Sequence, residues 1–135
     1  MNKEQLLEAT KANVETLKQV LTDEQKAKLD YSELRPFTAD MCLFGQLFGD
    51  ANSDEAKALL PKTLKGSYQV RGFYEHFARL QPSFRISFDR FNEFEVADDG
   101  HSTPIELFLM TRTNSEDLFK YLKGEVEAYE PAFID

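Results

Sequence analysis

Apolar residues near the start of the chain recur in steps of three and four. Leu6, Leu7, Thr10, Val14, Leu17 and Leu21 share one stripe with charged residues between them, which predicts an amphipathic helix from about Lys3 to Leu21. Thr22-Asp23-Glu24-Gln25 comes next as a capping box, a hydroxyl at the cap and an amide three residues on, and predicts a second short helix ending near Leu29. Pro36 favours an extended or turn conformation just before it. A third helix is expected to start at Thr38-Ala39-Asp40 and to place Cys42 in its middle. Met41, Phe44 and Phe48 fall on one of its faces, and Gly49 is positioned to end it. Asp50-Ala51-Asn52-Ser53 has turn chemistry, and Ser53 before Asp54 and Glu55 predicts the next helix start, where carboxylates favour the positive helix end.

Beyond this point the pattern is less even. Pro61 disturbs the fourth helix, and Gly66 stops any continuation of it. Val70, Phe73, Phe77 and Leu80 then fall at helical spacing up to Pro82. From Ser83 to Val96 two periods coexist. Phe84, Ile86 and Phe88 alternate as in a strand, while Phe84, Phe88, Phe91 and Phe94 also fit a helix. Aromatic residues, Ile and the Asp98-Asp99-Gly100 turn tip the reading towards short strands. Thr103-Pro104-Ile105-Glu106 carries a capping hydroxyl, Pro at the first helical position and Glu three residues after the cap. Ser115-Glu116-Asp117 reads as the cap of a last helix with Leu118, Phe119 and Leu122 inward, closed by Pro131. The expected fold is a mainly α small domain. The alternative is α+β, with a short two-stranded element around residues 84–97. No repeat or long linker divides the chain, so residues 1–135 are expected to form a single domain.

Composition changes this picture in three ways. Twelve Phe and five Tyr with no Trp imply aromatic burial mostly by Phe, whose ring needs no polar partner. A single cysteine, Cys42, leaves no intrachain disulfide to form. With no signal-like apolar run after Met1-Asn2-Lys3-Glu4-Gln5 and no membrane-span pattern, this points to a cytoplasmic protein. The net charge of −8 is also uneven. Residues 1–88 hold twelve basic and twelve acidic side chains, whereas residues 89–135 hold four basic and twelve acidic, so the whole excess lies in the last third. Such a field repels nucleic acid and anionic lipid and attracts basic protein partners. Acidity that merely keeps a small domain soluble accounts for the same numbers.

Candidate chemistry is sparse. Cys42 is the one thiol, and His76 and His101 are the imidazoles, too few for a zinc site built on four cysteine or paired cysteine and histidine ligands. Asp50, Asn52 and Asp54 have the spacing of a calcium loop. Glu55 then stands where Gly is needed and Pro61 where a bidentate Glu is needed, so the loop fails. Asp98-Asp99-Gly100-His101 reads as a solvated turn, and neither a metal nor a cofactor is expected. Gly45 and Gly49 lie one helical turn apart around Gln46, where a neighbouring backbone or a ligand could approach closely, although no Lys-Ser/Thr comes after them to make a phosphate loop. Glu75 and Glu106 could each act as a general acid or base, but no carboxylate pairing stands out.

Cys42-Leu43-Phe44-Gly45-Gln46-Leu47-Phe48-Gly49, with Ser53 and Ala56-Lys57 after it, resembles a pattern in small uncharacterised bacterial and phage proteins. There a Cys-x-aromatic-Gly-Gln-x-x-Gly run precedes Ser and a short helix. Thr103-Pro104-Ile105-Glu106 and Tyr121-Leu122-Lys123-Gly124-Glu125 are similar to that group's C-terminal half, so the likeness spans roughly the last two-thirds of the chain on short motifs. The group often has Tyr where Phe44 stands. The resemblance implies no established activity, but it marks Cys42, Gly45, Gln46, Gly49 and Glu106 as a shared structural or binding centre. Taken together, the sequence favours a small acidic interaction or regulatory module with a basic protein partner and leans away from an enzyme. A ligand-binding or catalytic domain centred on the Cys42–Gly49 helix is the alternative, and self-association through Phe-rich surface is a third reading.

Overall fold

The computed structural model describes residues 2–36, 38, 40–50, 53–58, 85–89 and 104–134. These form a mainly helical domain. Helix α1 spans Lys3–Val20, α2 Asp23–Ala27, α3 Leu43–Phe48, α4 Asp54–Ala58, α5 Pro104–Met110 and α6 Ser115–Leu122, with a 3-10 turn at Tyr31–Glu33. The expected elements around Pro61, Gly66 and Val70–Pro82, the stretch 90–97 and the Asp98–His101 turn lie outside the described residues.

Helix α1 forms because its two ends are satisfied and one face is apolar. Asn2 is the cap: its side chain accepts from the Gln5 amide at 2.8 Å, and the Gln5 side chain accepts from the Asn2 amide at 2.9 Å. Leu6, Thr10, Val14 and Leu17 are buried along the expected stripe, with Asn13 beside them. The Thr22–Gln25 capping box is present and starts α2.

Helix α5 is the centre of the fold, since all seven of its residues are buried. It packs along α1, and its first turn is held from that side. The Asn13 carboxamide oxygen accepts from the Ile105 amide at 3.4 Å, and the Thr10 hydroxyl donates to the Pro104 carbonyl at 3.3 Å. A helix start has four amides without intrahelical partners, and here a neighbouring helix supplies one of the acceptors. The core joins Val14, Leu17, Leu21, Leu29 and Leu34 to Leu43, Phe44 and Leu47, and then to Ile105, Phe108, Leu109, Leu118, Phe119 and Leu122.

Three expectations are corrected by the structure. Helix α3 starts at Leu43, not near Thr38, so Cys42 is its cap rather than a mid-helix residue. Ser115 is the first residue inside α6 and its hydroxyl lies 3.0 Å from that of Tyr31, while Asn114 occupies the cap position without a side-chain capping bond. Helix α6 ends at Leu122 and not at Pro131. Gly124 adopts φ 81° just beyond it, and the Gly124 and Glu125 amides donate back to Tyr121 and Lys120.

Among the described residues the β structure consists of isolated bridges, Ile86 with Thr111 and Thr113 with Phe133. Ile86 therefore pairs outside the 84–97 stretch. After α6 the chain returns along the molecule with Val126 and Tyr129 packed on the core. Asn114 ties this return: its amide donates to the Glu130 carbonyl at 2.8 Å, and its oxygen accepts from the Tyr129 hydroxyl at 3.1 Å and the Ala132 amide at 2.9 Å. No helix among the described residues is long and apolar enough to cross a membrane.

Candidate functional site

Cys42, Gly45 and Glu106 meet where the start of α3 abuts α5. Cys42 has extended backbone, φ −70° and ψ 177°, and its Sγ accepts from the Gly45 amide at 3.4 Å. Sulfur is a weak acceptor, which is why cysteine is a rare cap and was not expected as one here. Glu106 crosses from α5, and its Oε1 accepts from the Phe44 amide at 3.3 Å. Two of the amides that α3 cannot satisfy internally thus end on a thiol and on a carboxyl from a residue 62 positions away in sequence. The thiol and the carboxyl also interact with each other.

Both groups are buried, with 3% of Cys42 and 5% of Glu106 exposed. Burial disfavours the charged form of each. The Glu106 carboxyl is pushed up to about 7 by desolvation, against the opposing pull of the Phe44 amide and the Cys42 thiol. Desolvation likewise pushes the Cys42 thiol far above its ordinary range, and the negative charge of Glu106 pushes in the same direction. A nucleophilic cysteine needs a lowered pKa and some exposure. This one has the opposite of both, so the pair is a sealed thiol–carboxyl contact and not a nucleophile with its base.

Gln46 and Gly49 sit apart from that contact. The Gln46 carboxamide accepts from the Asp30 amide at 2.9 Å and donates to the Asp30 carbonyl at 3.0 Å, with a longer bond of 3.5 Å to the Met41 carbonyl. It therefore clips the 3-10 turn onto α3. Gly49 closes α3 with φ 87°, its amide donating to the Gly45 carbonyl at 2.8 Å. That backbone conformation favours glycine. Of the five residues singled out in the sequence, the structure brings together Cys42, Gly45 and Glu106 and gives Gln46 and Gly49 local structural roles.

Other polar residues were not anticipated. Asn13 lies one position off the apolar stripe of α1, and that place beside the stripe is its sole signal in the sequence. Arg85 packs half-buried with its guanidinium 5.9 Å from the Tyr31 ring centre, and burial lowers its pKa while Tyr31 opposes the shift. Glu75, His76 and His101 lie outside the described residues. Among the described residues no three His, Cys, Asp or Glu side chains gather as a metal site would require.

No protein family, curated protein or solved structure matches this chain.

Proposed function

We propose that the chain is a small interaction module that docks a basic protein partner through the acidic surface of its C-terminal third. The supporting observation is the placement of charge on and after α6. Glu116, Asp117, Glu125, Glu127 and Glu130 are exposed, whereas Glu106 is withdrawn into the core and contributes nothing to that surface. Exposed carboxylates attract cationic partners over about 8–10 Å at ordinary ionic strength and raise encounter rates. The sealed state of Cys42 weighs against the catalytic alternative. The docking reading also carries the expectation of a cytoplasmic protein that avoids nucleic acid, because like charge repels phosphate.

The test is affinity capture with the intact chain at low salt and at several hundred millimolar salt, beside a variant carrying Glu116→Gln, Asp117→Asn, Glu125→Gln and Glu127→Gln. Glu130 is kept because it pairs with Lys11 at 2.9 Å. A stoichiometric partner of high isoelectric point, released by salt and lost with the variant, is the expected outcome. Capture that ignores both salt and neutralisation would sink the proposal.

A further inference from the structure

We infer that the chain edge at Arg112–Asn114 is a slot for an extended peptide that carries aromatic, proline and aromatic side chains at alternate positions. Residues 129–134 of this chain fill it as a tethered ligand, and the same segment of a second copy can take their place. The docking of a basic partner is a separate matter, on which none of this depends.

The slot reads main chain. The Asn114 amide donates to the Ala132 carbonyl and the Ile134 amide to the Arg112 carbonyl, each at 3.1 Å, so that Thr113 and Phe133 face each other as an antiparallel pair. The Asn114 side chain donates to the Glu130 carbonyl at 2.8 Å and accepts from the Ala132 amide at 2.9 Å. All of these bonds recognise an extended backbone whatever its side chains, which is how a sheet edge accepts a peptide strand.

Selection falls on alternate side chains, as it does for a strand. Tyr129 stacks on Tyr121 with ring centres 6.0 Å apart, and its hydroxyl donates to the Asn114 carboxamide oxygen at 3.1 Å. Pro131 is buried, and Phe133 meets the Phe88 ring edge-on at 5.4 Å. Glu130, Ala132 and Ile134 face solvent.

The slot is built without the tail. The Thr111 and Thr113 hydroxyls donate to the Phe108 carbonyl of α5 at 2.8 and 3.2 Å, and the Ile86 amide donates to the Met110 carbonyl at 3.1 Å. The link between α6 and the tail is lightly held. Lys123, Gly124, Glu125, Glu127 and Ala128 are exposed, while Val126 packs on the core. A tail on such a link leaves the slot intact when it detaches.

The three Asn114 side-chain bonds alone favour the seated tail about 30-fold. A short link presents the tail at an effective concentration on the order of 1 mM. A free peptide of the same sequence should therefore bind an empty slot with a Kd of about 30 µM. The wild-type chain, whose own tail competes, should bind it with an apparent Kd of about 1 mM.

Ala132→Pro with Ile134→Pro empties the slot in the otherwise intact chain. The two amides that donate to Asn114 and Arg112 are then lost, and seating falls by about 30-fold. The experiment reads the fluorescence anisotropy of a labelled peptide of residues 125–134. The proline variant should bind it with a Kd of about 30–60 µM, and wild type with about 1 mM. Adding Asn114→Ala to the proline variant should return the Kd to about 1 mM or weaker. A peptide with alanine for both Tyr129 and Phe133 should bind about tenfold more weakly or not at all.

No binding to the proline variant at about 1 mM peptide, or equal binding with and without Asn114, overturns the slot. Should the proline variant not fold, hydrogen exchange in the wild-type chain with about 3 mM peptide decides the matter. The chain's own Ile134 amide must then exchange about 20-fold faster as the peptide displaces the tail, while the Asn114 amide, bonded to the peptide instead, keeps its protection. Unchanged Ile134 exchange overturns the proposal.

Discussion

Replacing Asn114 with alanine tests how the chain after α6 is held. Its side chain makes three hydrogen bonds to that segment, at 2.8 Å to the Glu130 carbonyl, 3.1 Å from the Tyr129 hydroxyl and 2.9 Å from the Ala132 amide. A net hydrogen bond is worth about 1 kcal/mol, so Asn114→Ala removes about 2–3 kcal/mol of attachment. The Tyr129 hydroxyl is also left without its acceptor in a place where burial already raises its pKa. The loss cannot exceed the attachment itself, because a segment that has detached costs nothing further. Val126, Tyr129 and Pro131, which pack down in the native chain, would then become exposed.

Two assays read this. Urea unfolding should show a stability drop of about 2–3 kcal/mol. Cleavage after Glu127 by a glutamate-specific protease should accelerate by about 30-fold or more, the factor that corresponds to 2 kcal/mol of local opening. Asn114→Asp retains the acceptor for Tyr129 and Ala132 but loses the donor to Glu130, so its effect should be smaller than that of Asn114→Ala. If Asn114→Ala changed neither cleavage nor unfolding by more than twofold in the relevant equilibrium, the assignment of this tie would be wrong.

Two further outcomes are expected from the same geometry. Because its folded value is raised, the stability due to the Glu106 carboxyl is complete below its ordinary 4.5 and is lost as pH rises through about 7, a change of about 3 kcal/mol at most. Urea unfolding at pH 4.5 and 8 should therefore show wild type losing more stability than Glu106→Gln, and parallel losses would refute the assignment. Gln46→Ala should cost about 1–2 kcal/mol through the lost clip on Asp30 while leaving partner capture unchanged, and reduced capture at full folding would place Gln46 in a binding surface.

Local signals were legible where one stretch of chain decides the outcome. The α1 stripe, the Thr22–Gln25 box and the Gly49 terminator all depend on residues within a turn or two of each other, and all three match the structure. Helix starts that depend on distant partners were not legible. Cys42 takes the Gly45 amide at the start of α3, while the Phe44 amide goes to Glu106, far along the chain. Ser115 looks like a cap, yet its hydroxyl goes to Tyr31 and the preceding Asn114 turns towards the tail. Pro131 reads as a helix stop, but Gly124 has already turned the backbone seven residues earlier. The motif Cys42-x-x-Gly45 with Glu106 was visible as a set of unusual residues. That they form one sealed contact required the fold, since nothing in sequence spacing joins α3 to α5.

The pairing of α1 with α5 has a consequence for the birth of the chain. Asn13 waits for a partner 92 residues further on, and Thr10 for one 94 residues further on. At about 5–20 residues per second, synthesis leaves the leucine stripe of α1 without its native cover for roughly 5–20 seconds. Throughout that interval the face of α1 that α5 covers stays open, although Leu29, Leu34, Leu43 and Phe44 of the same core emerge earlier. A nascent chain stopped before α5 would lack the partners of Asn13 and Thr10, so the final third is the closing piece of a core that the first third begins.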